Sequence, residues 1–178
     1  MKKVGQLIVI GAVASLALAT VLVGAIHAQS TPLSDAQLTR IRSSCVSVEN
    51  TLAQLHASDA LLRVNRGQIY ESMSTKLMVR FNDRADSNHY DISDLLSVTQ
   101  NYGAALTTFR ADYVTYEQQL ATAIATNCTK QPQAFYDAIS LARTLRSQVH
   151  ADVTRLNEYI SDYDNVFNVF VDTEVTGK

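Results

Sequence analysis

The sequence predicts an all-α protein, an elongated antiparallel three-helix bundle with coiled-coil-like packing that follows an N-terminal signal or transmembrane helix. Three long segments carry apolar residues at alternating spacings of three and four, which is the heptad pattern of helices packed side by side. Short polar stretches separate these segments. The chain contains only two prolines and no tryptophan, a composition that favours long helices over strands and turns.

Residues 1–28 are predicted to be a signal peptide or a membrane anchor. Lys2 and Lys3 precede an uncharged apolar run, the arrangement that exports the following chain and leaves the N-terminus inside. Ala28 before Gln29 offers a cleavage site, whereas about twenty apolar residues are enough to span a bilayer. Both outcomes stay open. Either one places the rest of the chain outside the cytoplasm, secreted or anchored to the cytoplasmic membrane.

A linker at 29–34 leads into the bundle, which is predicted over 35–172. The pair Ser34-Asp35 is typical of a helix start, and the first helix is expected to run to about residue 85. Its core-facing residues are expected to be Leu38, Ile41, Cys45, Val48, Leu52, Leu55, Leu62, Ile69 and Met73.

The second and third helices are predicted over about 92–126 and 133–171, with a disordered tail at 173–178. Polar, turn-forming residues precede each of them. The second core-facing set is Leu95, Thr99, Tyr102, Leu106, Phe109, Tyr113, Tyr116, Leu120 and Ala123. The third is Phe135, Ile139, Ala142, Arg146, Val149, Val153, Leu156, Ile160, Tyr163, Phe167 and Phe170.

The two cysteines, Cys45 and Cys128, are predicted to form a disulfide. A reversal between 85 and 92 brings together positions whose numbers add to 177, and those of the cysteines add to 173, within about one helical turn. Disulfides persist in exported proteins. Two separate free thiols are the alternative.

A polar layer is expected inside the bundle, because charged residues occupy positions of the apolar pattern. The first and third helices run parallel with an offset of about 81 to 85 residues, which sets Asp59 level with residues 140 to 144, close to Arg143 and Arg146. The same offset sets Arg66 level with residues 147 to 151, close to Asp152 and His150. Structural ion pairs that fix the helix register are the favoured interpretation, and a ligand site is the alternative.

Motifs for other functions are not found in the sequence. The four histidines are dispersed, and no zinc-ligand spacing, phosphate-binding loop or catalytic pattern occurs, so we expect no enzyme, metal or cofactor. After residue 28 the chain carries 13 basic and 17 acidic residues, a net charge of −4. That balance argues against nucleic acid as a partner.

Two stretches carry a resemblance: the run from Ser58 to Glu71, SDALLRVNRGQIYE, and the run from Cys128 to Pro132, CTKQP. With them, the chain resembles uncharacterised exported helical proteins of Saccharibacteria-type (candidate-phylum) epibiotic bacteria over most of its length after residue 35. The resemblance implies a location and a fold, and no catalytic residues.

The function expected from the sequence is that of a non-enzymatic extracytoplasmic structural or interaction protein of the bacterial cell envelope. Its partners would be the membrane, through the N-terminal helix if that is uncleaved, and an envelope or host-surface protein. The alternative from another class is an extracytoplasmic ligand-sensing or ligand-binding helical module.

Overall fold

A computed structural model of the chain describes residues 32–177. The helices are α1 (Asp35–Ser72), α2 (Val79–Ser87), α3 (Ser93–Ala125) and α4 (Pro132–Phe170), and π-helical segments lie at Met73–Met78 and Val171–Val175. No strand occurs in this range. The helix α1 continues through the first π segment into α2, lies antiparallel to α3 and parallel to α4. The predicted all-α, antiparallel three-helix bundle is therefore confirmed.

The predicted signal or anchor at 1–28 lies outside the described residues. Within 32–177, no helix combines the length and the apolar character that crossing a membrane requires. The predicted tail at 173–178 differs from the structure, in which the second π segment stays helical as far as Val175.

Local chemistry sets the helix ends. The Ser34 side chain accepts the Gln37 backbone N–H, and the Gln37 side chain accepts the Ser34 N–H, which forms a capping box before α1. The chain reverses after α2 at His89, whose positive φ of 64° stops the helix. Pro132 opens α4, where its missing N–H leaves no helical hydrogen bond unmade.

The core consists of two clusters stacked along the bundle. The hairpin-end core lies towards the reversal between α2 and α3 and surrounds Tyr102, Leu106, Leu156, Tyr163 and Phe170. The disulfide-end core comprises Cys45, Leu52, Tyr113, Tyr116, Leu120, Cys128 and Phe135. All nine residues predicted to face the core from α3 are buried, because α3 contacts both other helices. The heptad pattern therefore predicted the central helix correctly.

The first helix departs from its predicted register. Leu62 and Ile69 were expected in the core, yet they are 45% and 58% exposed, and Tyr70 is buried instead. After Tyr70, the next buried residue is Met78, at the end of the π segment. Because a π turn holds more residues than an α turn, this segment rotates the following residues relative to the heptad pattern. A constant heptad extrapolation cannot follow these changes.

Cys45 and Cys128 lie at disulfide distance, with their Cα atoms 5.7 Å apart, and the structure joins them in a disulfide. The pairing predicted from the antiparallel register therefore agrees with the structure. Both residues are buried in the disulfide-end core. The bond connects α1 to the loop that follows α3 and closes a sequence separation of 83 residues.

Replacing both cysteines with alanine is expected to lower the free energy of unfolding by about 4 kcal/mol, because the long loop is no longer closed in the unfolded chain. Urea melts of the variant and of the reduced wild-type chain should then give the same lowered midpoint. A non-reducing peptide map of the wild type should show one peptide that links Cys45 to Cys128. Two alkylatable thiols in protein purified without reductant would contradict the bridge.

Candidate functional site

A three-helix polar contact is centred on Asp59, which lies in the middle of α1 and is only 7% exposed. Arg146 of α4 donates two hydrogen bonds to its carboxylate, from Nε to Oδ2 at 2.8 Å and from Nη2 to Oδ1 at 3.1 Å. Tyr116 of α3 donates its hydroxyl to Oδ2 at 2.6 Å. One carboxylate therefore accepts a bidentate guanidinium and a phenol, and it joins all three helices.

These contacts determine the protonation states. Burial by itself raises the pKa of Asp59, but the hydrogen bonds from Arg146 and Tyr116 outweigh it, so the pKa is lowered overall. Burial and the bond to Asp59 raise the pKa of Tyr116, and the bond to Asp59 raises that of Arg146. The layer is thus an ionised pair with a neutral phenol. Because Asp59 is a weakened base and the other two are weakened acids, the layer suits binding better than proton transfer.

The other residues of the predicted layer do not join it. Arg66 and Arg143 are exposed, and the ion pairs found within 32–177 are Asp59–Arg146 and Glu71–Arg110. The predicted proximity of Arg66 to Asp152 is not borne out as an ion pair. The Asp59–Arg146 contact has an offset of 87, beyond the predicted 81 to 85, and it moves Arg66 level with Val153.

Asp152 faces another acid instead. It is 6% exposed, its Oδ2 has no hydrogen-bond partner, and its carboxyl group lies against that of Asp112 on α3. Burial, followed by the hydrogen bond and the charge of Asp112, raises the pKa of Asp152. Gln148 donates to Asp112 Oδ2 at 2.8 Å. The protonated form of Asp152 is therefore more favoured than that of an exposed aspartate.

A cleft of about 180 Å³ opens beside the Asp59 contact, between α1 and the other two helices. It lies where the two core clusters meet. Besides Asp59, Tyr116 and Arg146, its lining residues are Leu62, Arg63, Arg66, Phe109, Tyr113, Val149, His150 and Val153.

The cleft follows from the residues on the inner side of α1. Between Asp59 and Tyr70 no α1 residue is buried. Arg63 lies over the ring of Tyr113, with Cζ 5.0 Å from the ring centroid, and Arg66 lines the cleft one helical turn away. Burying an unpaired guanidinium is costly, so α1 remains apart from α3 and α4 at this level. The two arginines therefore explain why the cleft is present at this level of the bundle.

A second polar layer lies at the hairpin end, and the sequence pattern did not predict it. Tyr163 donates to Asn82 Oδ1 at 2.9 Å, and Asn82 Nδ2 donates to Thr99 Oγ1 at 2.8 Å. Burial raises the pKa of Tyr163 to about 12. Thr99 and Tyr163 were assigned to the core correctly. Asn82 was not, because the π segment turns it inward.

One side-chain set within the described residues has metal-ligand geometry. The ligand atoms of Cys45, Glu49 and Cys128 lie within 4.8 Å of one another. In the disulfide both sulfur atoms are used, so that Glu49 alone keeps an available ligand atom, 3.2 Å from Cys128 Sγ. A single carboxylate is too few ligands for a structural metal site.

No protein-family model matches the chain, and neither the curated proteins nor the solved structures gave a significant match. The function has therefore to be inferred from the chain's own residues. The Asp59 contact and the cleft beside it are two features that bear on that inference.

Replacing Asp59 with leucine is expected to destabilise the bundle by about 1–3 kcal/mol, because the change leaves Arg146 and Tyr116 without their acceptor. The cost stays below the 3–5 kcal/mol of a fully buried pair since the Arg146 side chain is 51% exposed. Replacing Asp59 and Arg146 together with leucine should restore most of the loss. Urea melts of the single and double variants measure the difference, and a double variant less stable than the Asp59 variant would contradict the account.

Replacing Asp152 with asparagine is expected to raise stability near neutral pH by about 1 kcal/mol. The pKa of Asp152 is higher in the folded chain than the ordinary aspartate pKa of 3.8, which applies in the unfolded chain. Its contribution to stability is therefore complete below pH 3.8 and is lost as the pH rises through the pKa of the folded chain. The gain should therefore shrink as the pH falls towards 4. Melts from pH 4 to 8 measure it, with Asp162→Asn, an exposed change on α4, as the control; equal gains for both variants would refute the prediction.

Proposed function

We propose that the protein is a non-enzymatic structural and interaction protein of the bacterial cell envelope, held outside the cytoplasm, and that copies of it associate through the outer surface of α1. The observation that carries the proposal is an exposed apolar stripe on this helix. Most of it is distinct from the side that faces α3 and α4, and only its last residue, Val64, also borders a cleft against α3.

The outer stripe consists of Val46, Ala53, Ala57, Leu61 and Val64, at spacings of seven, four, four and three. Residues at these spacings lie on one side of a helix. All five are exposed, with 72% exposure for Val46, 67% for Leu61 and 54% for Val64. A helix with apolar residues on two sides buries one of them in its own bundle and leaves the other for a further helix.

Charged residues are missing from this surface. Between positions 43 and 68, the acidic and arginine side chains point elsewhere: Glu49 lies against the disulfide, Asp59 is buried, and Arg63 and Arg66 line the cleft. Serine, threonine, asparagine and glutamine flank the outer stripe instead. Solvent-facing helix surfaces normally carry charges, so a neutral apolar surface of this length fits burial against another protein.

A second copy of the chain is the occupant that the charge pattern favours. In a symmetric pair each residue meets its counterpart or a neighbour on the same stripe, so a charged stripe would repel itself. The neutral stripe has no such penalty. The small side chains of Ala53 and Ala57 at its centre allow two helices to approach closely.

The cysteine pair supports the location outside the cytoplasm, because such bonds persist in oxidising compartments. The predicted export segment at 1–28 and the resemblance to exported bacterial proteins point in the same direction. The proposal combines these sequence features with the surface of α1.

Photo-crosslinking in intact cells tests both parts of the proposal. The full chain carries benzoylphenylalanine at Leu61, and the matched control carries it at Thr154, an exposed position on α4. Irradiation should give the Leu61 chain a band at about twice 19.6 kDa and give the control none. Adding Ala57→Glu to the Leu61 chain should remove the band, because two carboxylates would then face each other. Protease added outside the cells before irradiation should degrade the protein.

Each part can fail separately. Full protection from the external protease would contradict the location. A crosslink from Leu61 to a different protein, or no crosslink at all, would contradict self-association.

A further inference from the structure

We propose that the cleft beside Asp59 binds a small organic anion, a carboxylate carried on a single aromatic ring or an aliphatic body of similar size. This inference goes beyond the proposed function and uses the other side of α1. It rests on the charge, the apolar floor and the size of the cleft.

The cleft has a surplus of positive charge. Its lining contains Arg63, Arg66 and Arg146 against one acid, Asp59, which is a net charge of +2 with His150 neutral. Arg146 is matched by Asp59, while neither Arg63 nor Arg66 has an ion-pair partner within 32–177. The chain after residue 28 carries −4 overall, so the cleft is a local positive site on an acidic bundle. Such a site attracts anions and disfavours cations.

The two unmatched arginines are placed to hold a carboxylate. Arg63 lies over the Tyr113 ring, with Cζ 5.0 Å from the ring centroid. It has no ion-pair partner within 32–177, and a guanidinium can bind a carboxylate in bidentate geometry. Arg66 follows three residues later and lines the same cleft, so two arginine residues border one opening.

The floor of the cleft is apolar and partly aromatic. Phe109 and Tyr113 come from α3, and Val149 and Val153 come from α4. An inorganic anion would leave these side chains uncovered, whereas an organic body removes them from water. An aromatic ring can also stack against Phe109 or Tyr113.

The size of the cleft limits the ligand. Its volume is about 180 Å³, and an apolar cavity of roughly 150 Å³ takes up benzene. One ring with one carboxylate is therefore of the right size to fill it. The charge pattern and the volume together define a small monocarboxylate as the ligand class.

Binding of benzoate to the full chain in an uncharged detergent tests the inference. Methyl NMR signals of Val149 and Val153 report on the cleft, and titrations with benzoate, benzyl alcohol and acetate separate the ring from the charge. Benzoate should shift both valine signals, and the other two compounds should bind at least about tenfold more weakly. Arg66→Gln should weaken benzoate binding about tenfold without changing the benzyl alcohol titration. Arg80→Gln, an exposed change on α2, is the matched control and should leave both unchanged.

The following results would overturn the inference. If benzyl alcohol bound as tightly as benzoate, binding would not require the negative charge. If acetate bound as tightly as benzoate, binding would not require the apolar body. Benzoate shifts that spare Val149 and Val153 would place binding elsewhere. An equal loss of affinity in the Arg66 and Arg80 variants would mean that general surface charge, and not the cleft, holds the anion.

Discussion

The buried carboxylate of Asp59 is the constraint on which the middle of the bundle depends. Because an ionised acid cannot be buried without partners, it requires both the Tyr116 hydroxyl and the Arg146 guanidinium at one height. Those donors come from α3 and α4, so the axial positions of all three helices are set together. An apolar residue at this position would pack at several registers with similar energies, whereas hydrogen bonds of fixed direction select one.

Two other connections hold the ends of α1 and its continuation. The disulfide from Cys45 fixes one end, and the Asn82 amide, between Thr99 and Tyr163, fixes the other. Between them, α1 contributes fewer buried apolar residues than α3, which lies against both neighbours. The first helix is therefore held largely by discrete polar and covalent contacts, and α3 and α4 share most of the apolar core.

Because α1 contributes little to the apolar core, it keeps two surfaces that other molecules can contact: the cleft on its inner side and the apolar stripe on its outer side. Arginines at 63 and 66 resist burial, so the inner side stays open as the cleft. Apolar residues that do not enter the core, such as Val46 and Leu61, are left on the outer side. A helix that does not complete its own bundle is thus equipped for contacts with other molecules. One surface is cationic and concave, and the other is neutral and apolar.

The sequence by itself determined the all-α class, the three helices, the core side of α3 and the cysteine pair, because these depend on periodicity and on one antiparallel register. It also predicted a polar layer with Asp59 close to Arg143 and Arg146. Only the tertiary structure decided that Tyr116 completes that contact, that Arg66 lines a cleft instead of pairing with Asp152, and that Asn82 is buried. The reason is physical: the π segment and the gap at the arginines change the phase and path of α1, and local spacing cannot report either.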